Sequence, residues 1–160
     1  MARIRTFVAV SVSPSLSGKI EEVLRELSRG IEGVKWVASD QLHFTLKFLG
    51  DVEDSELHGV CSAVIEAVRG FAPFEVVLAG LGAFPSPSRP RTVWAGVADG
   101  EQQLVAVQKA VDRALRRLGY PRESRKFTPH VTLGRIRQGN ATLARLTERL
   151  RENAQTELGT

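Results

Sequence analysis

The tetrad His-x-Thr-Leu occurs twice in this 160-residue chain, as His43-Phe44-Thr45-Leu46 and as His130-Val131-Thr132-Leu133. The chain has three histidines, and two of them share this local context. Both segments alternate, with apolar residues on one side and His/Thr on the other. On a β-strand, side chains at i and i+2 point to the same face. Each motif therefore presents an imidazole beside a hydroxyl, with large apolar residues behind. Two such strands would put two histidines and two threonines around one small anionic group. Neutral imidazole accepts a proton and imidazolium donates one near neutral pH. Flanking a phosphorus centre, the pair can serve as base and acid in an in-line displacement. Thr45 and Thr132 would hydrogen-bond the non-bridging oxygens, and a nearby arginine would neutralise developing charge.

A single His-x-Thr would read as an ordinary strand histidine. Two copies in matched apolar frames, 87 residues apart, favour chemistry instead. A metal site is the weaker alternative: two histidines make a poor site, and Asp40 sits on a preceding turn. No metal and no cofactor are expected. His58 has no matching Thr and reads as a surface residue. Phe48, of opposite strand parity to His43, is either core or a surface on which a base stacks. Arg135, at the equivalent place after His130, is read as a phosphate contact. Trp94 is read as core, and Lys47 as a solvated strand charge.

The elements that must carry these residues follow from periodicity. Thr6–Val12 alternates as a strand. Ser13-Pro14 opens a helix with a stripe of Leu16, Ile20, Val23, Leu24 and Leu27, ended by Gly30. Val34–Val37 and Leu42–Leu49 are strands, followed by a helix with Leu57, Val60, Cys61, Val64, Ile65 and Val68 on one face. Phe74–Leu81 and Thr92–Val97 are strands separated by the rigid, basic loop Pro85–Arg91. A third helix spans Glu101 to Leu118, with Leu104, Val107, Val111, Leu115 and Leu118 inward. The strand Phe127–Ile136 follows, then a helix capped by Asn140 with Leu143, Leu146 and Leu150. The last residues show no strand pattern and are expected to fray. The fold class predicted is α+β: a single domain, 1–160, of two interleaved lobes with one motif each. Each lobe has a mostly antiparallel sheet with helices on its outer face. The motif spacing, about half the chain, suggests a pseudo-twofold internal duplication.

Charge is uneven. Residues 1–80 hold 8 Lys/Arg against 11 Asp/Glu, and residues 81–160 hold 14 against 7. The excess lies between Arg113 and Arg137, around the second motif, and such a basic field attracts polyanions. The single cysteine, Cys61, excludes an intramolecular disulfide, is expected to be buried, and fits a cytoplasmic setting. The opening Met1–Val12 alternates like a strand rather than an export signal, and no apolar run reaches membrane-spanning length.

At these residues the chain resembles the 2H phosphoesterase superfamily and, within it, the RNA 2′,3′-cyclic phosphodiesterase family, also called 2′-5′ RNA ligase. The resemblance rests on Arg5-Thr6-Phe7-Val8-Ala9-Val10, on His43-Phe44-Thr45-Leu46-Lys47-Phe48-Leu49-Gly50, on Pro90–Trp94, and on Pro129-His130-Val131-Thr132-Leu133-Gly134-Arg135. It implies two motif-bearing lobes facing a central cleft. It implies metal-independent hydrolysis of RNA 2′,3′-cyclic phosphate ends to 2′-phosphate, with reversible 2′-5′ ligation as the reverse reaction. It makes His43 the proton donor and His130 the proton acceptor, assigns Thr45 and Thr132 to the phosphate, and links Phe48 and Arg135 to substrate binding. The residues alone do not distinguish acid from base. Family members usually carry a further strand or two after the fourth helix, which puts the edge of one sheet and the oligomeric state in question. The partner implied is RNA with a cyclic phosphate end, tRNA fragments included, acted on by a monomer away from membranes. Two rivals stand beside this: the same site used on small nucleoside cyclic phosphates, and a non-catalytic RNA-binding module.

Overall fold

The computed structural model describes residues 2–86, 88–137 and 143–160. Pro87, in the expected loop, and Asn140, the expected cap of the last helix, lie outside these residues. The chain forms β1 (Arg3–Ser11), α1 (Pro14–Ser28), β2 (Val34–Trp36), β3 (His43–Glu53), α2 (Leu57–Val68), β4 (Val77–Ser86), β5 (Arg89–Asp99), α3 (Glu101–Arg116), β6 (Val131–Ile136), α4 (Leu143–Glu152) and β7 (Glu157–Gly159). The class is α+β, as expected. The strands form one hydrogen-bonded path, β1-β3-β6-β5-β4-β7 with β2 on β6, rather than two separate sheets. Among the described residues no helix is long and apolar enough to cross a membrane.

The chain divides into two compact units. The first contains residues 1–10, 45–74 and 100–129; the second contains 11–44, 75–99 and 130–160. Strand β3 begins in the second unit with His43 and Phe44 and continues in the first from Thr45.

In the second unit, β6 pairs antiparallel with β5, and β5 with β4. β2 and the start of β3 share the other edge of β6. Val93, Ala95, Val131 and Leu133 are fully buried. They alternate along β5 and β6, so one sheet face is apolar and sealed. Helix α1 buries Leu16, Ile20, Leu24 and Leu27, and α4 buries Leu146 and Leu150. Each such side chain contributes about 1.5–3 kcal/mol on leaving water. The Arg149 guanidinium on α4 donates to the carbonyls of Leu27 (2.9 Å) and Arg29, satisfying acceptors that the end of α1 leaves open.

In the first unit, β1 lies beside β3, and α2 packs with α3. Their core joins Leu46, Val52, Val60, Val107, Val111 and Leu115, with Val8, Val64, Val68 and Phe127 packed against it. Gly100, at φ 87°, turns the chain from β5 into α3, a conformation that favours glycine.

Four expectations are corrected. The end of the chain does not fray entirely: β7 pairs with β4 and buries Leu158. Three residues are too few to show a period-two pattern, yet backbone bonds from Gly80 to Thr156 and from Leu81 to Asn153 guide that segment onto β4. The β4–β5 hairpin runs through the supposed loop, pairing Pro85 with Pro90 and Ser86 with Arg89. Among the described residues β7 pairs with β4 only at Leu78–Ala79, far from Pro85, so the hairpin end of β4 keeps an open edge where proline is tolerated. Leu118 is 49% exposed because α3 stops at Arg116. Cys61 and Ile65 point outward, since α2 buries a narrower stripe centred on Val60.

Candidate active site

His43 opens β3 directly after the short 3₁₀ turn Ser39–Gln41. Its Nδ1 lies 2.7 Å from the Gln41 carbonyl oxygen. A carbonyl can only accept, so Nδ1 carries the hydrogen and donates it. A proton exchange at this imidazole would then run through Nε2.

Phe44 pairs with Val131 across β3 and β6, and both are buried. The strands are antiparallel, so one step outward puts His43 opposite Thr132. His43, Thr45, His130 and Thr132 are all half-buried, while Phe44, Leu46, Val131 and Leu133 are buried. The alternation inferred from the tetrads is the alternation observed, with the His and Thr side chains on the open face. Thr45, two residues along β3, shares the face of His43.

The row continues across the second unit. Thr132 pairs with Trp94 on β5, and Trp94 with Gly82 on β4. A Cβ on Gly82 would collide with the Trp94 ring, so the indole lies against bare backbone. Its Nε1 is buried with no hydrogen-bond partner among the described residues. Phe84 packs on Trp94 with centroids 5.2 Å apart, and meets the His130 ring nearly at right angles at 5.1 Å. Phe84 is 37% exposed. It was missed from the sequence because β4 was expected to end at Leu81. Trp94, expected to be core, is half-buried on this open face.

Arg135 reaches the same face through an irregularity. Simple alternation from Thr132 would turn it toward the buried side. However, Thr132 pairs with Trp94 while Gly134 pairs with Val93, so β6 carries an extra residue at that point. Such a bulge reverses the alternation. Arg135 then pairs with Thr92, which pairs with Phe84, forming a second row beside the first. Arg135 is exposed.

Phe48 takes one of the two places the sequence left open for it, whereas Lys47 departs from its reading. Phe48 is 57% exposed, which excludes a core role, and it packs on Phe7 with centroids 5.7 Å apart. Lys47 is buried, not solvated; its ammonium binds Asp112 and donates to the Pro121 carbonyl at 2.6 Å. Burial alone would raise the Asp112 carboxyl. The Lys47 ammonium, the Glu123 N–H and the Arg116 guanidinium outweigh it and hold that carboxyl below its ordinary value. His58 is exposed on α2, as expected.

The sequence pattern of the 2′-5′ RNA ligase superfamily matches residues 8–159. A protein of Archaeoglobus fulgidus named RNA 2′,3′-cyclic phosphodiesterase is 40% identical over 141 residues, covering 88% of this chain and 77% of the relative. One of the same name from Aquifex aeolicus is 35% identical over 160 residues, covering 99% and 84%. Among solved structures, a Thermus thermophilus protein matches with a TM-score of 0.75 at 28% identity, covering 86% of this chain and 76% of that one. Apo E. coli LigT matches with a TM-score of 0.69 at 26% identity, covering 89% and 77%. With its two tetrads inside the matched span, this chain belongs to the 2′-5′ RNA ligase superfamily.

Proposed function

We propose that this protein is a metal-independent phosphodiesterase that opens RNA 2′,3′-cyclic phosphate ends to 2′-phosphates, with 2′-5′ ligation as the reverse reaction. The observation that carries the reading is the register at Phe44–Val131, which puts His43 level with Thr132 on neighbouring strands with the reactive residues on the open face. The names of the relatives supply the substrate class.

In this mechanism His130 takes a proton from water, and the resulting hydroxide forms a bond to phosphorus. The bond from phosphorus to the 3′ oxygen breaks on the opposite side. His43, its Nδ1 committed to the Gln41 carbonyl, delivers the proton on Nε2 to that oxygen, leaving a 3′-hydroxyl and a 2′-phosphate. Thr45 and Thr132 donate to the non-bridging oxygens, and Arg135 offsets the charge that grows on them. Phe48 offers an exposed ring for a base, and Phe84 does so directly beside His130. The acid and base roles follow the family resemblance.

The test is product analysis on an RNA with a 2′,3′-cyclic phosphate end, in the presence of a chelator. A 2′-phosphate product formed at an undiminished rate is expected. A 3′-phosphate product, or loss of turnover in chelator, would overturn the mechanism. Binding without turnover would leave a recognition module in its place.

A further inference from the structure

We infer that the segment after α3 forms a second binding surface, for the single-stranded RNA backbone upstream of the reacting end; this rests on the function proposed above. Arg113, Arg117, Arg122, Arg125 and Lys126 are all exposed. None of the five makes an ion pair among the described residues. Arg116 differs, since its Nε lies 3.7 Å from Asp112 and its charge is already answered. Five unanswered cations in fourteen residues are costly in self-repulsion unless a polyanion meets them.

The second observation is how this basic segment is held. Residues 120–130 contain no helix or strand, yet four bonds fix their start. The Tyr120 N–H donates to the Leu115 carbonyl at 3.1 Å, and the Tyr120 hydroxyl donates to Glu56 at 3.3 Å. Lys47 donates to the Pro121 carbonyl, and the Glu123 N–H donates to Asp112 at 3.3 Å. The anchors fall at positions 120, 121 and 123, while the side chains of 122, 125 and 126 are exposed. The buried Lys47–Asp112 pair thus ties a basic loop to β3, two residues from Thr45. Lys126 in turn precedes His130 by four residues. Four residues span at most about 14 Å of chain, so the peptide itself limits how far a strand ending at His130 can pass from Lys126.

Arg113 and Arg117 lie one helical turn apart at the end of α3 and extend the same run of positive charge. Exposed Phe7 and Phe48, packed together in this unit, add flat faces of the kind on which unpaired bases stack.

The experiment compares KM for a nucleoside 2′,3′-cyclic phosphate with KM for an octaribonucleotide carrying the same end. It uses wild type and the triple variant Arg122→Ala, Arg125→Ala, Lys126→Ala. In wild type the octamer KM should be the lower and should rise steeply with salt. Three single-strand phosphate contacts correspond to a slope of about 2 in log KM against log salt. From 50 to 200 mM salt, wild type should therefore lose roughly 20-fold more affinity than the variant. At 50 mM salt the variant should raise the octamer-to-mononucleotide KM ratio at least about tenfold. The double variant Lys47→Met, Asp112→Leu, which unties the loop without leaving a lone buried charge, should raise the same ratio with kcat held.

An unchanged KM ratio and an unchanged salt slope in the triple variant would overturn the inference. If nothing turns over, the proposed function fails by itself. Anisotropy of a labelled octaribonucleotide 3′-phosphate then still decides: equal binding by both proteins rejects the surface, and weaker, less salt-sensitive binding by the variant upholds it. Equal loss on duplex RNA would reject the single-stranded assignment.

Discussion

The two histidine-bearing strands share a tetrad and part company at the next residue. After Leu46 comes Lys47, buried and paired with Asp112 within the first unit. After Leu133 comes Gly134, pressed so closely against β2 that a Cβ would stand 2.8 Å from the Trp36 ring. The contrast extends to the interiors. The described buried polar and charged residues, Lys47, Gln108 and Asp112, all belong to the first unit, while the described buried side chains of the second are apolar. On the function proposed above, the tetrads are alike because the same chemistry demands the same two side chains on one strand face. The flanks differ because each must satisfy the packing of its own surroundings. One flank became an ion pair that fixes a loop, and the other a glycine that admits an indole.

The largest effects should come from breaking the part the strands share. His43→Ala and His130→Ala should each lower kcat/KM by ~10²–10⁴-fold, measured on a cyclic-phosphate RNA end, with the fold unchanged by circular dichroism. The double variant should fall well short of the product of the two losses, because paired acid and base act as a unit. If one histidine alone proved dispensable, the equivalence of the tetrads would be a likeness of sequence without a likeness of role.

Next comes the flank of the first strand. Lys47→Met leaves the Asp112 carboxylate buried without its main partner. Breaking such a pair typically costs about 3–5 kcal/mol. Denaturant unfolding should show that loss, and Lys47→Met combined with Asp112→Leu should recover much of it. A loss below about 1 kcal/mol in the single variant would mean that Lys47 is in effect solvated, as its place in an alternating strand suggests.

That misreading marks the boundary of what the sequence carries. The tetrads were legible because period-two alternation and a repeated His/Thr pair are local signals. The stripes of α1 and α3 were legible for the same reason, apart from Leu118 past the helix end. Lys47 was not legible, since nothing near it in the sequence announces Asp112, 65 residues away. Phe84 was hidden by Pro85 and Pro90, which read as a loop but pair with each other at the hairpin end. Arg135 reached the active face by way of a bulge, and a bulge is set by the partner strand as much as by its own residues. Cys61 shows the opposite failure: an apolar neighbourhood in sequence became the outer side of a helix that packs along a narrow stripe.

Smaller effects should separate the glycines. Gly134→Ala and Gly82→Ala each force a methyl into an indole, which typically costs about 1–3 kcal/mol. Both should lower Tm by similar amounts. They should differ in activity, because Gly82 supports the Trp94–Phe84 stack that ends on His130, whereas Gly134 faces Trp36. Gly82→Ala should therefore raise KM or lower kcat several-fold more than Gly134→Ala. Equal activities would remove Phe84 and Trp94 from the site.

The smallest and most selective test uses pH. Asp112 has a folded pKa below its unfolded value. Its contribution to stability is therefore present above the unfolded value and is lost as pH falls through the folded one. Wild type should lose stability below about pH 4, beyond what its exposed carboxylates explain. In the Lys47→Met, Asp112→Leu variant that acid loss should shrink, because the titrating group is gone. Hydrogen exchange at low pH would localise it: amides near Asp112 and Glu123 should open first, while those of Val93 and Val131, in an interior with no described buried charge, should hold longer. If both units opened together, the ion pair would be holding more than its own loop.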